Sequence, residues 1–141
     1  MDMVKPLLFL WMVLISTLAC AQTDRTANSV RKAFEGIWQY KQKYGTNTVR
    51  IQFEEDKDYA LFTDIGNGMA PERKLHAALQ GDLLVIPAKQ DSNDYVELQI
   101  VKGKLHLRVR AVNWDENGKE VKGNEEVTEY RIFQRVKGAG K

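Results

Sequence analysis

The chain has 141 residues, a formal net charge of +2, 28% charged side chains and a single cysteine. That length suits one domain, and the near balance of acidic and basic groups excludes a strongly basic, nucleic-acid-binding class. One cysteine excludes an intrachain disulfide, so the fold has to rest on its apolar core.

Met1 to Lys5 carries a lysine, Leu7 to Leu18 is apolar except for Ser16 and Thr17, and Ala19-Cys20-Ala21 follows. A charged start, a short apolar run and a small-residue cleavage site make a secretory signal peptide over residues 1–21. The run is shorter than the ~20 residues of a spanning helix, so no transmembrane segment is expected in the mature chain. Two processing readings follow. Cleavage after Ala21 leaves a periplasmic or secreted protein. Lipidation of Cys20 would anchor it to the outer membrane, although Thr17 stands where that signal usually has leucine. The soluble reading is preferred.

Residues 22–35 form an N-terminal segment, polar up to Asn28, with a short helical turn over Ser29 to Glu35: Ser29 is placed as its N-cap, and Val30 and Phe34 share a face. From Gly36 the apolar period becomes two. Eight strands are predicted: Ile37–Tyr44, Thr48–Glu54, Tyr59–Ile65, Lys74–Gln80, Leu83–Ala88, Tyr95–Val101, Lys104–Asn113 and Val127–Val136. Turn chemistry joins them, including Gly45-Thr46-Asn47, Gly81-Asp82, Lys102-Gly103 and a long segment around Asn117-Gly118. Residues 138–141 form a tail.

Two hairpins set their own register. If Lys102-Gly103 is the turn, Ile100, Leu98 and Val96 face Leu105, Leu107 and Val109, and Glu97 and Gln99 share the other face with Arg108 and His106. If Gly81-Asp82 is the turn, Leu79 faces Leu84. The loop after Phe53 is less decisive. Three residues would set Tyr59 and Leu61 opposite Phe53 and Ile51, whereas two would set Ala60 and Phe62 there; the first is preferred. One apolar face per sheet, with no long helix to cover it, predicts an all-β, eight-stranded antiparallel up-and-down barrel over residues 36–137, closure removing the free edges.

Gly36-x-Trp38 on the first strand, after a short helical turn, resembles the lipocalin-like (calycin) superfamily, and in particular its small secreted bacterial members. The resemblance implies that Gly36 bends the chain into the barrel, that Trp38 plugs the closed end and that an arginine of the last strand, here Arg131, covers it. A second resemblance, of Glu125 to Val136 to the last strand of fatty-acid-binding proteins, implies instead an inward Arg131 that grips a carboxylate. Phe133 replaces the tyrosine of that motif, and no helix pair fits after the first strand. Alternation sets Thr128, Tyr130 and Ile132 on the more apolar face of the strand and Glu129, Arg131, Phe133 and Arg135 on the other. Arg131 is therefore expected outside the interior, although a bulge would reverse it.

The expected pocket, at the open end, is formed by Tyr40, Phe53, Leu61, Leu98, Leu107, Val109 and Tyr130. His76 and His106 alternate outward on different strands, and no metal spacing links them. Neither a nucleophile elbow nor a phosphate loop is present in the sequence. The expectation is an exported binder of a small, largely apolar ligand, not an enzyme, with no cofactor, no metal and no nucleic-acid partner. The alternative is a filled barrel that meets an envelope or extracellular protein through its surface, with Trp114 projecting from the long hairpin.

Overall fold

In a computed structural model of the protein, residues 27–121 and 126–138 are described. The signal peptide expected over residues 1–21, with Cys20, lies outside them. The chain divides into two compact units, Met1–Lys32 and Ala33–Lys141. The described part of the first, residues 27–32, is helical and belongs to a helix α1 over residues 27–34. Ser29 lies within this helix and does not cap it.

In the second unit the period-two pattern forms strands β1 (Gly36–Gln42), β2 (Gly45–Phe53), β3 (Tyr59–Gly66), β4 (Arg73–Gln80), β5 (Leu83–Ile86), β6 (Tyr95–Val101), β7 (Lys104–Arg110) and β10 (Val127–Arg135). These eight close into an antiparallel barrel in the order β1-β10-β7-β6-β5-β4-β3-β2. A separate two-stranded sheet, β8 (Asn113–Trp114) and β9 (Glu120–Val121), sits between β7 and β10 in the chain. The expected architecture is thus the observed one. Both self-registering hairpins pair as predicted: Val96, Leu98 and Ile100 oppose Val109, Leu107 and Leu105, and Leu79 opposes Leu84.

Three local expectations are corrected. Gln42 pairs with Gly45 across a Lys43-Tyr44 turn, so Gly45-Thr46-Asn47 is strand, and Asn47 shares the inward face with Val49 and Ile51. Ile51 opposes Phe62 and Phe53 opposes Ala60. The rejected register is the real one, which turns Leu61 outward beside His76 and buries Ala60 and Phe62; Asp56 takes the left-handed conformation (φ 61°) that this loop needs. The third correction concerns β10. Val127 pairs with Arg110 but Glu129 pairs with Val109, leaving Thr128 as a bulge. One inserted residue exchanges the two faces of the strand beyond it. Phe133 is therefore fully buried, opposite Leu105, while Tyr130 and Ile132 are 48% and 38% exposed. Arg131 points inward, opposite Leu107.

The core fills the closed end. Trp38, Phe34, Phe133, Ile51, Leu84, Leu98 and Leu105 are completely or almost completely buried there. Trp38 Nε1 donates to the Phe34 carbonyl at 2.8 Å, satisfying an oxygen at the end of α1. The arginine of the closed end is Arg135, not Arg131: its guanidinium lies over the Trp38 ring at 4.3 Å and donates to the Ala33 and Glu35 carbonyls.

Candidate functional site

The open end is built by strand halves that the closed-end core does not fill. A cavity of about 290 Å³ opens there, close to the lower size of small-molecule pockets. Its floor is apolar: Val49 of β2, Phe62 of β3, Leu75 of β4, Val96 of β6, and Leu107 and Val109 of β7. Each is there because alternation sends every second residue inward.

Its rim is polar, and each polar group arrives for a local reason. Asp64 and Arg73 are cross-strand partners at the mouth ends of β3 and β4. The Asp64 carboxylate accepts from the Gly66 amide at 3.1 Å as β3 ends. Arg73 donates to the Ser92 carbonyl at 3.1 Å and ties the β5–β6 loop to the rim. That loop is held by its own contacts: the Lys89 amide donates to the Asn93 carbonyl at 2.9 Å, and Asn93 Nδ2 donates to the Pro87 carbonyl at 2.8 Å. Asp91 to Asp94 is therefore an ordered wall, with Ser92, Asn93 and Asp94 lining the cavity.

The bulge at Thr128 brings in the remaining pair. Glu129 and Arg131 both line the cavity, joined by an ion pair, and Arg131 Nη1 donates to Asn47 Oδ1 at 3.1 Å. Guanidinium groups at the mouth of an apolar cavity can receive an anionic group; here Glu129 holds Arg131 and the Ser92 carbonyl holds Arg73.

Of the seven expected pocket residues, Leu107 and Val109 line this cavity. Leu98 is deeper, in the filled core. Phe53 is half-buried, on the Ala60 side of the closed end. Tyr40 faces inward with its ring centroid 5.8 Å from that of Phe133. Leu61 and Tyr130 face outward and do not line the cavity. Tyr130 instead meets His106 Nδ1 through its hydroxyl and has Arg108 over its ring, on the outer face. His76 stacks on Tyr59. Trp114 is half-buried in the β8–β9 hairpin, where it pairs with Glu120.

The pattern of inward apolar residues anticipated Leu107 and Val109 of the floor but not Phe62, which belongs to the register that was not preferred. The polar rim escaped it for three reasons: Asn47 was read as turn, Asp64 and Arg73 stand at strand ends, and Glu129 and Arg131 depend on the bulge. One signal was legible. A fully apolar Phe133 on the polar face of β10 fits an inserted residue better than an unbroken ladder.

No protein-family profile matches the chain, and comparison with curated proteins and with solved structures gives no match.

Proposed function

We propose that the protein is an exported, lipocalin-like barrel that holds one small amphipathic molecule in its open end, and that it acts by binding and not by catalysis. The observation that carries this reading is the direction of Arg131. A side chain that would be readily solvated outside is turned, by one bulged residue, over an apolar cavity of about 290 Å³. Desolvating a guanidinium is unfavourable unless it is paired, and Glu129 and Asn47 supply that pairing in the free protein. An anionic head group replaces Glu129 on Arg131, and an apolar body covers Val49, Phe62, Leu107 and Val109. The expectation of a largely apolar ligand is narrowed accordingly. Export rests on the sequence of residues 1–21, with its charged start and Ala19-Cys20-Ala21 site.

The test is titration with 8-anilinonaphthalene-1-sulfonate, an aromatic anion, followed by fluorescence and by thermal unfolding. Saturable one-to-one binding that raises the melting temperature is expected. Val109→Trp fills the cavity and should abolish it. Arg131→Gln should weaken it about 10–100-fold, the value of a charged hydrogen bond. Absence of saturable binding, or equal binding by the Val109→Trp protein, would overturn the reading.

A further inference from the structure

The barrel is closed by its shortest ladder. Strands β1 and β10 pair through Trp38–Arg135 and Gln39–Gln134, and the Val136 amide donates to the Ile37 carbonyl at 2.9 Å. Toward the open end the strands part. Among the described residues, Tyr40–Gln42 pairs with β2 alone and Val127–Phe133 with β7 alone. A cleft of about 490 Å³ lies along this seam, lined by Gln39, Tyr40, Lys41, Ile132, Gln134 and Arg135. Strand edges without a neighbour carry amides and carbonyls in ladder geometry, which is the template on which another chain adds.

The charge around the seam has one sign. Alternation turns Arg50 of β2, Lys41 of β1 and Lys104, Arg108 and Arg110 of β7 to the outer face. The only carboxylate within β2, β1, β10 and β7 is Glu129, and it points inward to Arg131. Arg108 is drawn to Glu97 of β6 at 3.4 Å, whereas Lys41 has no carboxylate partner among the described residues. The outer face of the seam is also partly apolar at the exposed Ile132 and Tyr130.

We propose that this seam is a docking site for an extended acidic peptide segment of a partner protein. The segment adds as a strand along the free edge of β10. Its backbone supplies the missing ladder partners, its outward acidic side chains meet Lys41 and the flanking cations, and its alternate side chains, apolar, turn toward Tyr40, which lines the cleft. A flat polyanion would be served by the charges alone. The unpaired edges favour a chain with its own amides.

The test uses a labelled, acetylated octapeptide of alternating glutamate and valine, followed by fluorescence anisotropy and by hydrogen exchange of the full protein. Saturable binding is expected, with slower exchange at amides of Tyr40–Gln42 or Val127–Phe133. Lys41→Glu, an exposed change that leaves the core intact, should weaken it at least fivefold. A peptide N-methylated at alternate residues, or one with lysine for glutamate, should bind at least tenfold more weakly. Val109→Trp, which fills the mouth, should leave peptide binding unchanged, so this site and the cavity stand or fall separately. The proposal is overturned by no peptide binding, by equal binding of the N-methylated peptide, or by capture of dextran sulfate in its place. Concentration-dependent self-association that protects the same amides would also overturn it, assigning the seam to a second copy of this chain.

Discussion

The guanidinium of Arg135 covers the indole of Trp38, 4.3 Å from the ring centroid, and a Cβ on Gly36 would lie 2.7 Å from Arg135 Nη1. Gly36 also takes φ +136°, a conformation that side chains rarely adopt. Bend, stopper and cover are thus one unit. Arg135→Ala is expected to lower stability by about 2–3 kcal/mol, through lost cation–π and charged hydrogen-bond contacts. Gly36→Ala should cost about 1–3 kcal/mol through backbone strain, with the clash added. In the Arg135→Ala background the clash is gone, so the two losses should fall short of additive. Urea unfolding of the four proteins checks this; strict additivity would separate the glycine from the cap.

The facing of β10 can be tested by truncation. Phe133→Ala should cost about 3–5 kcal/mol, since it empties the fully buried position opposite Leu105. Ile132→Ala, at a position 38% exposed, should cost less than about 1.5 kcal/mol. A reversed order of the two unfolding midpoints would restore the unbulged register.

A deletion series locates the bulge. Removing Thr128 leaves Val127 opposite Arg110 and Glu129 opposite Val109 in an unbroken ladder. That protein should fold within about 1–2 kcal/mol of the parent, having lost the Thr128 hydroxyl bond to the Val109 carbonyl. Removing Tyr130 instead reverses the faces of one half of the strand and should abolish cooperative unfolding. Circular dichroism and thermal melts of the two deletions give the comparison.

The outer face carries a pH-dependent element. Burial, with Arg108 and Lys104 nearby, pushes the His106 imidazole below its ordinary 6.5, and its Nδ1 meets the Tyr130 hydroxyl. A depressed histidine favours the neutral form in the folded protein. Its contribution is present above pH 6.5, the unfolded value, and is lost as pH falls through the folded value, because the unfolded chain then binds more protons. The urea midpoint should therefore fall on going from pH 7.5 to pH 5, and His106→Gln should flatten that part of the profile. An unchanged slope in the variant would assign it to other groups.

The Lys102-Gly103 turn holds both residues at positive φ, 51° and 74°. Asparagine enters that conformation more readily than lysine, and Asn-Gly is the favoured pair for such a turn. Lys102→Asn should stabilise the protein by about 0.5–1 kcal/mol, read as a raised melting temperature without a change in the urea m value.

What the sequence by itself determined is what repeats locally. Alternation from Gly36 onward set eight strands and, through one-sided apolar faces, a closed sheet. Short turns at Gly81-Asp82 and Lys102-Gly103 set two registers, because a two-residue turn leaves no freedom to slip. The tertiary structure decided what depends on partners far along the chain. Asn47 and Arg131 are 84 residues apart, and no local period records that the first belongs to a strand or that a bulge at Thr128 turns the second inward. A single inserted residue exchanges two faces of nearly equal legibility, and burial of Phe133 against Leu105 is what selects between them.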